Sequence, residues 1–343
     1  MKVAIFLFLS MIILSNCMYY QILDAVAHLK TKEQFKIWHY LNEKKYDLNT
    51  LEGLSRYKNF KNNLAYITKR NSEQSEFQLG LGPFADMSFE EFSKTMLLSK
   101  DNKESNESFL RNLKANPINF EEMADDDELI VKNKDVKNAK DWSSVFGTAR
   151  HQGGCGSCWA YGTTGVIEAA AAIKEGVWSA LSTQQLVDCD TQDHGCNGGF
   201  YFTAFQYTID NGVESEAAYP YEGVQRSCRY NANKVTRRVK SYKYCTGSTC
   251  THNALESMLA QGPVATAVEA NQDFMNYRGG VLDSPCYSNI NHAVIIVHLT
   301  DQYVKLRNSW GPGWGENGYI RLRHNENNNG SCFTERYAFL PVL

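Results

Sequence analysis

Two cysteines three positions apart, Cys155 and Cys158, lie in the run Gln152-Gly-Gly-Cys-Gly-Ser-Cys-Trp159. The stretch that follows, Trp159 to Lys174 with Ala169–Ala172 inside it, is rich in small, good helix formers, and Gly176 is a natural stop. That spacing predicts Cys158 at or near a helix N-terminus. There the macrodipole and unpaired backbone N–H groups favour an anion, so a thiolate is stabilised and the sulfur becomes nucleophilic. The flanking glycines let the backbone approach a bound group closely. On this run alone three chemistries stay open: a redox Cys-x-x-Cys, half of a metal site, or one structural cysteine beside one nucleophile.

A thiol nucleophile needs a base within hydrogen-bond reach, and that base needs a third group to fix its tautomer. His292 stands in Asn291-His-Ala-Val at the mouth of an apolar run, and Asn308-Ser-Trp310 and Gly311-Pro-Gly-Trp-Gly315 follow it. A histidine there, taken alone, reads as structural. Together Cys158, His292 and Asn308 supply nucleophile, base and orienting amide.

The rest of the chain must bring these three together. It has 343 residues, enough for one large or two ordinary domains with a sizeable core. Its formal net charge is -3, and no basic stretch is interleaved with aromatics, so nucleic-acid binding has no basis. Of ten cysteines one is Cys17 and the rest lie from Cys155 onward, which gives the first third a separate task. If paired, they point to an oxidising compartment.

Met1-Lys2 and the apolar run Val3 to Leu14 read as a secretory signal peptide over 1–18, too short for a comfortable membrane span. No other run is long and apolar enough to insert stably. From about 31 to 98 the chain reads as helices. One is marked by Phe35, Ile37, Trp38 and Leu41. A longer one, Leu51 to Asn71, has Leu54, Tyr57, Phe60, Leu64 and Ile67 as its apolar stripe. Ser88-Phe-Glu-Glu91 reads as a capping box opening a third. A polar linker follows, with Asn106-Glu-Ser108 as a glycan acceptor and the acidic run Glu121 to Glu128. This divides the chain into 1–18, 19–130 and 131–343.

In the last segment Ser182-Thr-Gln-Gln185 is a second capping box, leading a short helix to Cys189. The loop Gly195-Cys-Asn-Gly-Gly199 carries too little side chain to be core. It is either a plain turn beside a disulfide or a place where backbone groups pair with an extended peptide. Phe200 to Ile209 and Asn253 to Gln261 read as helices. Cys245 and Cys250 close a short loop and are expected to pair. Val264–Val268, Ala293–Leu299, Tyr303–Arg307 and Tyr319–Leu322 are short β-branched and aromatic runs between turn residues. The segment is therefore α+β, mainly helical and then mainly strand.

Cys-Gly-Ser-Cys-Trp with His and Asn far downstream is the signature already known for papain-like cysteine proteases. The chain resembles that family, in its cathepsin L-like branch, over nearly its whole length. The pro-region pattern Glu52, Arg56, Phe60, Asn63, Ile67, Asn71 and the Gly80-Leu-Gly-Pro-Phe-Ala-Asp86 run belong to the same likeness. The resemblance implies a two-lobed fold with a helical lobe, a β-rich lobe and a cleft between them, preceded by a small helical pro-domain. It implies a cysteine endopeptidase made as a zymogen, without cofactor or metal. The pro-region is its intramolecular inhibitor and polypeptides are its substrates.

By the same resemblance Cys158 is the nucleophile, His292 the base and then acid, and Asn308 the acceptor of the His292 ring N–H. Gln152 and the Cys158 backbone N–H form the oxyanion hole, and Trp310 shields the Asn308–His292 bond. The resting pair is expected to be thiolate and imidazolium. The family pairs Cys155 with Cys196, Cys189 with Cys228, and Cys286 with Cys332, which leaves Cys245–Cys250 as an extra bridge. Gly198 and Gly199 would meet the peptide backbone. Phe200, Tyr201, Ala267, Ile290, Ala293 and Tyr337 would line the main specificity pocket. None of these is charged, so an apolar residue is expected two places before the cut, the two tyrosines narrowing the choice toward aliphatics.

Other consequences are acid-triggered removal of the pro-region, a lysosome- or vacuole-like or extracellular destination, a monomer, and sensitivity to cystatin-type inhibitors. Asn329-Gly-Ser331 is a second glycan acceptor. Departures from the family are Gly82 in place of Asn, Thr183 and Gln185 where acids are common, and Tyr161-Gly162 in place of Phe-Ser. Competing readings are a catalytically silent relative that binds or inhibits, a thiol oxidoreductase using Cys155 and Cys158, and a zinc site of Cys189, His194 and Cys196. No insertion after Cys196 argues for a dipeptidase.

Overall fold

The computed structural model describes residues 16–98, 140–287, 290–324 and 330–343. Asn106, Asn329, the acidic run and residues 1–15 lie outside the described residues.

The N-terminal segment forms helices α1 (Asn16–Ala25), α2 (Thr31–Leu41) and α3 (Leu51–Glu73). Thr50 caps α3 by accepting from the Gly53 N–H. The buried face of α3 is Gly53, Phe60, Asn63 and Ile67, which corrects the expected stripe: Leu54 is 58% exposed. The reason is steric. The chain entering α3 crosses at Gly53, where a Cβ would meet the Asp47 carbonyl oxygen at 2.3 Å, so the next residue turns to solvent.

The polar members of the α3 pattern are ties. Arg56 Nη1 donates to Glu91 Oε1 at 2.6 Å, and Asn63 Nδ2 donates to the carbonyls of Ala85 and Met87. Asn71 clamps strand β1 (Phe77–Leu79), donating to the Leu79 carbonyl and accepting its N–H. Gly82 offers its carbonyl to the buried Trp38 indole at 3.0 Å, so the turn is held without the expected Asn side chain. Asp86 is buried, with Tyr46 donating at 2.8 Å and Lys44 at 3.2 Å. Helix α4 (Phe89–Met96) starts where Ser88 accepts from the Glu91 N–H.

After residue 140 the first half is helical. Helix α5 (Cys158–Glu175) ends at Gly176, left-handed at φ 78°, whose N–H returns to the Ala172 carbonyl. Helix α6 (Thr183–Cys189) is capped by Ser182, and α7 (Tyr201–Asp210) follows the glycine loop. Buried Gln185 donates to the Tyr207 hydroxyl and the Gly212 carbonyl and accepts from the Glu214 N–H, so an uncharged amide is fully paired where the family favours an acid. Strands β2 (Val213–Glu214) and β3 (Val235–Arg237) form a two-stranded ribbon.

The second half supplies β4 (Ser241–Thr246), α8 (His252–Leu259), β5 (Val264–Val268), α9 (Gln272–Met275), β6 (Tyr277–Leu282), β7 (His292–Leu299), β8 (Tyr303–Arg307), β9 (Tyr319–Arg323) and β10 (Tyr337–Val342). With β1 they make an eight-stranded sheet, order β1-β6-β9-β8-β7-β5-β10-β4, in which β6 and β9 run parallel and the other pairs antiparallel. The architecture is α+β, as the sequence implied. Strands β1, β4, β6 and β10 were not legible from patterning. Strand β7 is apolar and buried nearly throughout because α5 packs on it.

One apolar cluster runs from Trp38, Phe60 and Phe92 of the N-terminal segment into Phe274, Trp310 and Trp314, so that segment shares the core of the β-rich lobe. Disulfides join Cys155–Cys196, Cys189–Cys228, Cys245–Cys250 and Cys286–Cys332. These pairings leave no thiol for a Cys155–Cys158 redox bridge and no thiolates for a Cys189, His194, Cys196 zinc site. Cys158 is free and buried.

Candidate active site

Cys158 is the first residue of α5 and fully buried, with its sulfur against the backbone N–H of Ala293, the residue after His292. His292 opens β7, and Asn308 follows the end of β8. The His292 Nε2 to Asn308 Oδ1 distance is 2.7 Å. The Ser309 backbone N–H donates to the same Oδ1 at 2.7 Å. A backbone N–H can only donate, so that atom is the amide oxygen and Nε2 carries the hydrogen. A neutral His292 then keeps its lone pair on Nδ1, which is buried and has no hydrogen-bond partner among the described residues. This is the tautomer a base for Cys158 needs.

Trp310 lies on the His292 ring with centroids 4.5 Å apart and is itself completely buried. Phe274, Trp314, and Phe84 and Phe92 of the N-terminal segment pack around it, and the His292–Asn308 pair beneath is buried.

Gln152 is fully buried. Its Nε2 donates to the Cys155 carbonyl and to the Met96 carbonyl, each at 2.9 Å. Ser309 Oγ donates to Gln152 Oε1 at 2.7 Å, and the Tyr221 hydroxyl donates to the Gln152 carbonyl at 2.6 Å. Sequence reasoning missed both supports. Ser309 was visible inside Asn-Ser-Trp, but Tyr221 carried no signal. The Leu98 N–H donates to the Asn291 carbonyl at 2.7 Å. The N-terminal segment therefore lies across the site from Met96 to Leu98.

Burial sets the charge state under this cover. It pushes the Cys158 thiol up to about 12, against smaller opposing hydrogen bonds from the Ala293, Trp159 and Cys158 N–H groups. It pushes His292 down to about 4, the Asn308 bond opposing. The covered site favours neutral thiol and neutral imidazole, which differs from the expected thiolate–imidazolium pair. The cause is desolvation, which penalises both charged forms.

A second tie holds the cover. Buried Asp273 receives Arg70 Nη2 at 2.7 Å, the Tyr66 hydroxyl at 2.6 Å and Ser284 Oγ at 2.8 Å. Burial works to raise its carboxyl, but the Arg70, Tyr66 and Ser284 hydrogen bonds and the Arg70 charge outweigh it and hold the group below its usual range. This long-range pairing had no signature in the sequence.

Of the expected pocket residues, Tyr201, Ala293 and Tyr337 share one apolar cluster, with Ile290 and Leu98 packed on it. Phe200 and Ala267 are half-buried and outside that cluster. The Tyr201 hydroxyl turns inward, donating toward the Thr266 and Val294 carbonyls at 2.9 and 3.1 Å. It fills the space above Gly162, where a Cβ would lie 2.3 Å from it. Tyr201 thus explains the departure from Ser at 162. Gly198 has its N–H and carbonyl bonded within its own turn, to Gly195 and His194. A Cβ at Gly199 would strike Trp159 and Asp193.

A buried thiol at a helix start, an imidazole oriented by an amide, and a donor amide bound by a covering carbonyl are the groups a cysteine hydrolase would need. Residues 132–342 match the family described as papain family cysteine protease, and residues 35–92 match the cathepsin propeptide inhibitor domain. The chain is 34% identical to papain of Carica papaya over 323 residues, covering 93% of this chain and 89% of that protein. It is 34% identical to cysteine proteinase 3 of Dictyostelium discoideum over 356 residues, covering 100% of each. Among solved structures, digestive procathepsin L2 proteinase from Tenebrio molitor larval midgut superposes with a TM-score of 0.78 at 32% identity, over 92% of this chain and 100% of that one. The chain belongs to the papain family of cysteine proteases, in precursor form with its inhibitory propeptide domain. It is a cysteine endopeptidase zymogen of the papain and cathepsin L type.

Proposed function

We propose that Cys158, His292 and Asn308 carry peptide-bond hydrolysis, with Gln152 and the Cys158 backbone N–H as oxyanion donors. The observation that carries this is the 2.7 Å bond from His292 to Asn308, with the amide oxygen identified by Ser309. Once the cleft is open to water, His292 Nδ1 takes the Cys158 proton and the thiolate attacks the scissile carbonyl. His292 then donates that proton to the leaving amine, and water hydrolyses the thioester by the reverse proton route. Preorganised donors such as Gln152 contribute about 3 kcal/mol in such sites. Trp310 keeps the imidazole dry.

Gly198 and Gly199 meet the peptide backbone, the Gly198 N–H and carbonyl also being bonded to Gly195 and His194. Uncharged Phe200, Tyr201, Ala267, Ile290, Ala293 and Tyr337 favour Leu, Val or Phe over Arg two places before the cut. Acid releases the propeptide by loosening carboxylate ties. The mature unit from 131 acts as a monomer in an acidic or extracellular compartment, open to cystatin-type inhibitors, with Asn106 and Asn329 as glycan acceptors. No helix among the described residues is long and apolar enough to cross a membrane.

The test is steady-state kinetics of the acid-matured protein on a peptide panel. Cys158→Ala and His292→Ala must abolish turnover, and Asn308→Ala must lower kcat more than KM. An Arg-selective panel would overturn the pocket assignment. Full turnover by Cys158→Ala would overturn the mechanism.

A further inference from the structure

The proposed hydrolysis uses Cys158, His292, Asn308 and Gln152. Away from that site, His252, His324 and Glu335 each offer a ligating atom, and the three atoms lie within 4.8 Å of one another. They come from separate places: His252 starts α8, His324 follows β9, and Glu335 precedes β10. His324 and Glu335 are buried, joined by a 2.8 Å contact from Nδ1 to Oε1. The His252 and His324 rings are 5.0 Å apart.

His252 makes this more than one hydrogen-bonded pair. Its Nε2 faces Glu256, one turn along α8, at 3.3 Å. Its Nδ1 is buried and has no hydrogen-bond partner among the described residues. A carboxylate that holds one ring nitrogen fixes the tautomer and leaves the other nitrogen's lone pair for a cation, as around most metal-bound histidines. Burying that nitrogen unpaired has a cost that a metal would remove. Two imidazoles and a carboxylate are the donor set of zinc-class divalent ions, with a fourth position left for water.

We propose that His252, His324 and Glu335 form a zinc-class metal site, with Glu256 orienting His252. Tetrahedral bonds of about 2.1 Å place donors about 3.4 Å apart, against the present limit of 4.8 Å. A metal there ties the start of α8 to the far end of the sheet and the chain before β10. It would act on the stability of the β-rich lobe.

The test uses the whole zymogen carrying Cys158→Ala, which removes the free thiol of the hydrolytic site, titrated at pH 7 with cobalt(II) chloride and then zinc chloride. The expected result is one cobalt per chain with the intense visible bands of a tetrahedral ion, displaced by zinc, and a thermal midpoint raised by several degrees in zinc. Glu256→Gln should weaken binding by roughly 10- to 100-fold, as loss of an orienting partner does. His252→Gln, at a half-exposed helix start, should abolish the bands while far-UV circular dichroism is unchanged. No stoichiometric binding, or binding that both variants leave intact, would overturn the proposal.

Discussion

The Gln152 amide gives one hydrogen to the Met96 carbonyl and the other to the Cys155 carbonyl. Both of its N–H bonds are thus spent while the propeptide is in place. A propeptide carbonyl sits on the donor that a developing oxyanion would use, and the covered Cys158 is held as a neutral thiol by burial. In the proposed mechanism the propeptide domain would silence the site by occupying its donor and by drying its nucleophile.

Gln152→Ala should leave the zymogen folded, since the propeptide is also held through Asp273 and the Phe84 and Phe92 contacts with Trp310. In the matured enzyme the same change should lower kcat by roughly 10²- to 10³-fold with little effect on KM. Steady-state kinetics on one apolar peptide checks this. A change in KM alone would mean that Gln152 binds substrate and transition state equally.

The Asp273–Arg70 tie gives the propeptide a pH dependence with a definite sign. The Asp273 carboxyl is held below its usual range in the docked state, so its contribution to docking is complete above the undocked value. It is lost as pH falls toward the docked one. Acid should therefore loosen the cover. Asp273→Asn removes the charge at every pH, so its zymogen should open at a higher pH than wild type. The rate of Cys158 alkylation against pH measures this, and an unshifted midpoint would assign the acid response elsewhere.

Much of this was legible in the sequence because it is local. Ser182 and Ser88 cap helices through bonds three residues away, and Gly176 ends α5 by its left-handed backbone. Strands Val264–Val268 and Tyr303–Arg307 fall where their patterning placed them. What stayed hidden depends on distant partners. Strand β1 exists because β6 lies beside it, and Asp273 matters because Arg70 reaches it from 203 residues away. Leu54 fits the helical stripe but is exposed because Gly53 is needed where the chain crosses.

Gly162 and Tyr201 should behave as a coupled pair. Restoring the family's serine, Gly162→Ser, brings a Cβ to 2.3 Å from the Tyr201 hydroxyl. Overpacking of this kind costs about 1–3 kcal/mol. Thermal denaturation should show that loss, and Tyr201→Ala should relieve much of it in the double variant. Equal losses with and without Tyr201 would assign the cost to the helix backbone.

The four disulfides should contribute unequally. The Cys245–Cys250 loop spans 5 positions, so its removal as a pair of alanines should cost about 2 kcal/mol by loop entropy. The Cys155–Cys196 loop spans 41 and should cost about 4 kcal/mol. Urea unfolding of the Cys158→Ala zymogen would rank them, and a larger loss at 245 and 250 would show that this bridge holds the sheet edge rather than a local loop.

The most direct test of the account is labelling with an epoxysuccinyl cysteine-protease probe, followed by peptide mapping, before and after acid treatment, with Cys158→Ala as control. The account predicts label on Cys158, appearing only once the N-terminal third has been lost. Label on the intact zymogen at neutral pH, or none on matured protein whose Cys158 is reduced, would contradict it.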